Sequence, residues 1–198
     1  MGIKNFRYSM NKELTKLPDN LPQPDDDGKS DHLVGITIPS ITLTSTKGMI
    51  DISKIDTQYT VLYFFPMMAV PEKTLPSGCN DIPGARGCTP QNITINEHIK
   101  DLQKYGVRIW GVSTQSIDEL TELSLLRKFS QPLISDSSLK FQENLQIPTF
   151  HVESKTMYKR LTLIAKNSKI VKIFYPVFPP DKHIFEILKW FETNSSKS

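Results

Sequence analysis

The stretch TVLYFFP at residues 60–66 gives the clearest indication of the fold. A continuous run of β-branched, aliphatic and aromatic residues is typical of a strand buried on both faces in the middle of a sheet. Pro66 ends this run because proline lacks the backbone N–H that a central strand must donate. We therefore expect residues 60–65 to form a central strand that is covered on both faces.

Strand-like and helix-like patterns alternate after this strand. The pair Thr89-Pro90 predicts a helix start with Thr89 as the cap, and Gly106 predicts the end of that helix. The capping box from Ser116 to Glu119 starts a second helix that extends to about residue 129. Further strands are predicted at residues 107–112 and 133–135, and a short helix at residues 138–145.

Two hairpins and a final helix flank the region in which strands and helices alternate. The strand pairs flank the turn sequences STKG at residues 45–48 and KNSK at residues 166–169, and residues 180–191 have the spacing of an amphipathic helix. Alternation predicts parallel strands, whereas the hairpins add antiparallel ones. The sequence therefore predicts an α/β protein with a mixed central sheet and helices on both faces. A thioredoxin-like arrangement is one such solution, which periodicity alone does not single out.

The composition indicates a globular chain. Of its 198 residues, 38% are hydrophobic and 23% are charged, which is too apolar for a disordered chain and too charged for a membrane bundle. A net charge of +3 does not require a nucleic-acid partner, and two cysteines exclude a disulfide-rich scaffold or a four-cysteine zinc site. Without a signal peptide or membrane-length apolar run, we expect a cytoplasmic protein with neither nucleic acid nor membrane as partner.

The two ends of the chain differ from its middle. Residues 1–31 contain three prolines, the acidic run DDD and few large apolar side chains, which predicts a flexible or surface-draped arm. Residues 32–192 are predicted to form one domain, which is long enough to bury its own core. Residues 193–198 are predicted to be a frayed tail.

The segment PGARGCTPQ at residues 83–91 is the main candidate for chemistry. Cys88 lies just before the predicted helix, where free backbone N–H groups and the positive end of the helix dipole favour a thiolate. Gly84 and Gly87 let the backbone approach a small ligand closely, and Arg86 supplies a cation. These features favour a nucleophilic cysteine over an inert buried one.

Five short segments together resemble the thiol peroxidases called peroxiredoxins, of the AhpC/TSA-like and bacterioferritin-comigratory (Q-type) kind. The resemblance covers about residues 32–192. The segments are HLVG at 32–35, YFFP at 63–66, GCTPQ at 87–91, GVST at 111–114 and RLTLI at 160–164. Their combination and spacing are specific, although each piece alone is a weak signal.

The resemblance implies a thioredoxin-like fold and a peroxidase that needs no metal or organic cofactor. It implies that Cys88 is the peroxidatic cysteine, that Arg160 is its arginine partner, and that hydrogen peroxide and alkyl hydroperoxides are the substrates. Arg160 would stabilise the thiolate and the charge that develops as the O–O bond breaks. The resulting sulfenic acid would be reduced by a thioredoxin- or glutaredoxin-type protein. Arg86, Thr89 and Gln91 are expected to support the site.

The sequence departs from the family pattern around the cysteine. Ala85 stands where the family has a threonine or serine that orients peroxide, so the Thr89 hydroxyl or backbone N–H groups would have to replace it. Residues 67–82 form an insertion after Pro66, and Pro83 is a candidate to shield the sulfur instead. Ile93 stands where Q-type members often carry a resolving cysteine.

Several alternatives remain open at the level of sequence. Cys79, in a segment expected to be flexible, is either a resolving thiol or a loop cysteine without a partner. Arg86 is a second candidate for the main cation. A redox-sensing binding protein with little turnover is an alternative function on the same fold, and a thiol–disulfide oxidoreductase is disfavoured because no Cys-x-x-Cys spacing is present. We expect a monomer or a homodimer.

Overall fold

The computed structural model describes Leu17, residues 20–54 and residues 57–195. Most of the predicted arm and the last three residues of the predicted tail lie outside this description. The boundaries of the arm, the domain and the tail therefore stay predictions. Within the described part, residues 20–31 are joined to the body of the protein by two hydrogen bonds of Asp27, which are described below.

The body is built on a seven-stranded mixed sheet with the strand order β2-β1-β5-β4-β3-β8-β9. Strand β3 lies inside the sheet, between β4, to which it is parallel, and β8, to which it is antiparallel, and β4 is parallel to β5. The strands are β1 (Thr42–Ser45), β2 (Gly48–Asp51), β3 (Tyr59–Phe64), β4 (Val107–Ser113), β5 (Leu133–Ser135), β8 (Leu161–Lys166) and β9 (Lys169–Phe174). Every residue of β3 is buried, so the prediction of a central strand is confirmed.

Helices cover both faces of this sheet, as predicted. They are α1 (Cys88–Glu97), α2 (Ile99–Gln103), α3 (Ile117–Arg127), α4 (Lys140–Leu145) and α5 (His183–Asn194). One core cluster joins side chains of α1, α2, α3 and α5 to the face of β3 that carries Val61 and Tyr63. A second cluster joins α4 to the opposite face, which carries Leu62 and Phe64. The alternation of side chains along a strand divides the core in this way.

The helix predicted from Thr89 starts one residue earlier and is interrupted. Gly87 is its N-cap, with a left-handed φ of 94° that glycine adopts readily, so Cys88 is the first helical residue and Thr89 is not the cap. Helix α1 ends at Glu97, His98 is its C-cap, and α2 begins at Ile99. The imidazole Nδ1 of His98, which is also the N-cap of α2, bonds to a carboxylate oxygen of Asp101 in the first turn of that helix at 3.1 Å.

A small second sheet was not predicted. Strands β6 (Thr149–Val152) and β7 (Lys155–Tyr158) form an antiparallel hairpin that packs beside the candidate site. Its turn is Glu153-Ser154, with Glu153 at a φ of 50°. This turn lacks the glycine or asparagine that normally marks a tight hairpin in a sequence, which explains the omission.

A buried histidine joins α5 to β8 and makes stability depend on pH. His183 is 1% exposed; its Nε2 bonds to the Thr162 hydroxyl at 2.8 Å and its Nδ1 to a Glu186 carboxylate oxygen at 2.9 Å. A neutral ring satisfies both partners by donating from Nδ1 and accepting at Nε2. Burial lowers the pKa of His183, although the carboxylate of Glu186 opposes this shift.

Because the folded state resists protonation of this ring, we expect stability to fall as pH drops below the ordinary histidine pKa of 6.5. The loss is at most about 1.4 kcal/mol per pH unit. Urea unfolding at pH 7.5 and pH 5.5 measures it, and His183→Gln should reduce the pH dependence. The exposed His151→Gln is the matched control. An equal pH dependence in all three proteins would show that His183 does not contribute.

Candidate active site

The candidate site lies at the edge of the sheet where the parallel strands β3 and β4 end. The amide of Gln115, just after β4, pairs with the backbone of Met68: its Oε1 accepts from the Met68 N–H at 2.8 Å and its Nε2 donates to the Met68 carbonyl at 3.1 Å. The Ser113 hydroxyl donates to the Pro66 carbonyl at 2.9 Å. These bonds fix the chain that leaves β3, including the backbone N–H of Met67.

Cys88 lies on this edge, at the first position of α1, and is 2% exposed. Its Sγ lies 3.1 Å from Nη2 of Arg160 and 3.4 Å from the backbone N of Met67, and both groups donate to the sulfur. As a thiol, Cys88 donates to the Ala85 carbonyl at 3.5 Å. Both groups are donors that bond more strongly to a negatively charged acceptor than to a neutral one, as an attacking sulfur requires.

Arg160, immediately before β8, is enclosed by the loop that leads to Cys88. Its Nη2 donates to the carbonyls of Arg86 at 3.0 Å, Gly84 at 3.3 Å and Ala85 at 3.5 Å, and its Nη1 donates to Oε1 of Gln91. The residue is only 3% exposed. Among these partners only the Cys88 sulfur can carry a full negative charge. A buried guanidinium is costly without an anion, so Arg160 and a Cys88 thiolate stabilise each other.

The base of α1 is fixed by buried amides. The Tyr63 hydroxyl donates to Oδ1 of Asn92 at 2.7 Å, and Nδ2 of Asn92 donates to the Cys88 carbonyl at 2.9 Å. Gln131 donates to the Asn92 carbonyl at 3.0 Å. Burial raises the pKa of Tyr63 above its ordinary value, so its hydroxyl remains a donor. This network holds the first turn of α1, and with it the sulfur, in place.

The structure brings some of the predicted supporting residues to the sulfur and not others. Thr89 is buried and lines a cavity of about 40 Å³ beside Cys88, and Gln91 bonds to Arg160. Arg86 lines the same cavity, and its backbone carbonyl accepts a hydrogen bond from Arg160. Pro83 lies elsewhere: it lines a second cavity, behind Arg160, and is not among the residues around the sulfur. A shielding role for Pro83 has no support in this arrangement.

Cys79 lies in a short 3-10 turn (Cys79–Asp81) and not in the flexible loop that the sequence suggested. It is 3% exposed because it packs against Ala85, Val152 and Met157, and it lines the cavity that also contains Cys88. Burial raises the pKa of Cys79, and the negative charge of Cys88 raises it further, whereas Arg86 lowers it. Cys79 is therefore favoured as a neutral thiol beside the nucleophile.

Reasoning from the sequence missed several contributors to the site, among them the backbone N–H of Met67, the amide of Gln115 and the buried amide of Asn92. The role of a backbone N–H group cannot be predicted from the type of the residue that carries it. A signal did exist for Gln115, because it follows β4 at the edge where β3 also ends, and side chains after neighbouring parallel strands converge there.

Comparison with known proteins identifies the family. A family model described as Redoxin matches residues 33–188. Peroxiredoxin Q of Sedum lineare is 26% identical over 161 residues, which are 80% of this chain and 77% of that protein. Peroxiredoxin Q of Oryza sativa subsp. japonica is 24% identical, and the match covers 78% of this chain but 64% of the rice protein.

Solved structures share the fold. Peroxidoxin BcpB from Mycobacterium tuberculosis superposes with a TM-score of 0.65 and 20% identity, covering 81% of this chain and 97% of that one. A bacterioferritin comigratory protein from Xanthomonas campestris, studied for alkyl peroxide reduction, gives a TM-score of 0.61 with 19% identity, covering 88% and 98%. The prediction of a thioredoxin-like fold is thereby confirmed.

In the described residues, no helix has the length and apolar character needed to cross a membrane. The chain belongs to the redoxin family and is similar to peroxiredoxins of the Q or bacterioferritin-comigratory type.

Proposed function

We propose that this protein is a thiol-dependent peroxidase that reduces hydrogen peroxide and alkyl hydroperoxides through a sulfenic acid on Cys88. The observation that carries this proposal is the position of the Cys88 sulfur, 3.1 Å from Nη2 of Arg160 and at the first position of a helix. The sulfur also borders a cavity of about 40 Å³, which gives a small peroxide room to approach it.

The reaction proceeds by nucleophilic displacement at oxygen. The Cys88 thiolate attacks the terminal oxygen of the peroxide, an S–O bond forms and the O–O bond breaks. The sulfur is oxidised to sulfenic acid, and the leaving oxygen takes up a proton as water or an alcohol. Negative charge grows on that oxygen during the step, and the N–H groups of Arg160 and Met67, already aimed at the sulfur, are placed to stabilise it.

The missing hydroxyl at Ala85 is compensated, in this proposal, by groups that the structure places around the cavity. Thr89 is buried and lines the cavity, and its N–H belongs to the first turn of α1, where backbone N–H groups have no partner within the helix. The Met67 N–H adds a further fixed donor. Together they offer hydrogen bonds to both peroxide oxygens without a side-chain hydroxyl at position 85.

The catalytic cycle requires an external reductant, and we propose a thioredoxin- or glutaredoxin-type protein. Such proteins are kept reduced in the cytoplasm, so a cytoplasmic location suits the cycle, whereas the plant relatives are named chloroplastic. We propose a monomer or a homodimer. No second protein chain is needed to complete the site that Cys88 and Arg160 form.

Cys79 is proposed to resolve the sulfenic acid, because it is the other thiol of the chain and borders the same cavity. The attack needs a rearrangement, since Cys79 is buried in its own turn and Cys88 is fixed in α1. The segment between them is short, so closing it costs little entropy. Disulfide formation requires Cα atoms within about 7 Å.

We therefore expect one equivalent of hydrogen peroxide to produce a Cys79–Cys88 disulfide in the purified protein. Peptide mapping by mass spectrometry measures it. A sulfenic or sulfinic Cys88 that persists beside a free Cys79 thiol would instead show a one-cysteine enzyme that an outside thiol reduces directly. Cys79→Ser is the control, since without the Cys79 thiol no internal disulfide can form and the reaction must stop at the oxidised Cys88.

A redox sensor with little turnover is the alternative function, and the comparisons do not favour it. A coupled assay with thioredoxin, thioredoxin reductase and NADPH separates the two. Sustained, peroxide-dependent oxidation of NADPH supports the peroxidase. Oxidation that stops after one equivalent of protein favours the sensor.

A further inference from the structure

The cavity at the sulfur is small, and part of its wall comes from outside the family domain. Its volume of about 40 Å³ is roughly three times the space that one water molecule needs, which suits the two oxygens of hydrogen peroxide. Leu17 is one of the residues that line it, together with Cys88, Met67 and Thr89. The family match begins only at residue 33, so Leu17 belongs to the segment that precedes it.

The same segment contacts the active-site loop at two points. A Cβ atom built on Gly87, the residue before Cys88, would lie 2.7 Å from Cδ2 of Leu17. A Cβ atom built on Gly84 would lie 3.3 Å from Cγ of Pro24. Both glycines flank the carbonyls that hold Arg160. The absence of side chains at these positions therefore lets Leu17 and Pro24 approach the loop closely.

A polar latch attaches this segment to the body of the protein. One carboxylate oxygen of Asp27 accepts from Nζ of Lys159 at 2.7 Å, and the other accepts from the Tyr175 hydroxyl at 2.6 Å. Burial opposes ionisation of Asp27, but the bonds from Lys159, Tyr175 and Lys29 together lower its pKa below the ordinary value. The latch therefore persists at neutral pH.

A cavity lies beside the latch. It has a volume of about 360 Å³, and its lining includes Pro24, Asp25 and Asp27 of the segment and Phe150 and Tyr175 of the body of the protein. Asp27 attaches the segment to the body at this point through its two hydrogen bonds. Asp27 also bonds to Lys159, the residue next to Arg160, which ties the latch to the active site.

We propose that Leu17 and residues 20–27 set the size of peroxide that reaches Cys88. Leu17 closes the cavity, and Asp27 holds the segment against the active-site loop, so that hydrogen peroxide is reduced in preference to bulky organic hydroperoxides. This inference rests on the proposed peroxidase function and names the substrate class within it. A hydroperoxide with an aromatic or branched body must displace Leu17 before its terminal oxygen meets the sulfur.

The test compares kcat/KM for hydrogen peroxide with kcat/KM for cumene hydroperoxide in the full chain. We expect the ratio of cumene hydroperoxide to hydrogen peroxide to rise about tenfold in Leu17→Ala, as is usual when a hydrophobic pocket is enlarged. Asp27→Asn should raise the ratio in the same direction by releasing the latch. The matched controls are Leu125→Ala, at an exposed position on α3, and Asp26→Asn, which makes the same charge change one residue away.

The outcomes separate this inference from the proposed function. If the wild-type protein turns over neither peroxide, the proposed function fails. If it turns over peroxide but both variants keep the wild-type ratio within twofold, the peroxidase stands and the selectivity role of the segment is wrong. A higher ratio in Leu17→Ala and Asp27→Asn, with unchanged ratios in both controls, supports the inference.

Discussion

Replacing Cys88 by serine is expected to reduce peroxide consumption to the rate without protein. The two side chains are nearly the same size, so the fold and the surroundings of position 88 should persist. A serine hydroxyl, however, stays protonated beside Arg160 and has no accessible sulfenic acid state. The loss should therefore be complete and should appear with every peroxide and every reductant. Peroxide consumption measures it directly.

Cys79→Ser is the matched comparison for this variant, because it removes the other thiol of the chain from the same cavity. It should retain the first oxidation of Cys88 and lose only the internal disulfide. Circular dichroism of both variants confirms that they fold. An active Cys88→Ser protein would contradict the account as a whole, since no other described residue has a nucleophile in the arrangement that Cys88 shows.

Replacing Arg160 by alanine is expected to slow the oxidation of Cys88 by roughly 30- to 1,000-fold. The guanidinium is the cation beside the sulfur at 3.1 Å, and its loss removes a fixed donor where charge develops. Removing one oxyanion-hole donor in acyl transfer costs about 2–4 kcal/mol, and we expect a loss on the same scale here. The second-order rate constant of Cys88 oxidation by hydrogen peroxide measures the effect.

Two further variants identify the origin of that loss. Arg160→Lys keeps a positive charge but not the fork that also bonds the loop carbonyls and Gln91, so it should recover only part of the rate. Arg86→Ala removes the neighbouring arginine, whose charge acts on Cys79, and should change the rate less than Arg160→Ala does. If Arg160→Ala stays within twofold of wild type, Arg86 is the main cation, and the double variant decides.

The sequence predicts the framework of the fold well where the local pattern and the final packing agree. The buried strand at residues 59–64, both hairpins of the main sheet and the α3 cap at Ser116 all carry such signals. Ser116 accepts from the Glu119 N–H at 3.3 Å, as the capping box predicts. In each case a few adjacent residues are sufficient to specify the local structure.

Prediction from the sequence is wrong where contacts between distant parts of the chain determine the local structure. The start of α1 is fixed by the left-handed φ of Gly87, which lets Cys88 enter the helix, and Thr89 only looks like a cap because proline follows it. The loop expected around Cys79 contains a short 3-10 turn in which Cys79 is buried, because the unpredicted hairpin β6–β7 supplies Val152 and Met157 to cover its side chain. These packing partners lie more than 70 residues away in the chain.

The candidate site also has one part that the sequence predicts and another that it does not. The pairing of Cys88 with Arg160 was inferred from a family resemblance, and the structure places the two side chains in contact. The donor at Met67 and the wall formed by Leu17 have no counterpart in that resemblance. The first is a backbone group and the second precedes the family domain, so neither is visible as a motif.

The rate at which hydrogen peroxide oxidises Cys88 tests the central claim most directly, because it needs neither the natural reductant nor Cys79. Stopped-flow measurement on Cys79→Ser follows this single thiol, with the Arg160→Ala form of the same protein as reference. The account predicts that the second-order rate constant is about two orders of magnitude higher in the protein that keeps Arg160 than in the Arg160→Ala form. A rate equal in both, and equal to that of the urea-unfolded chain, would contradict it.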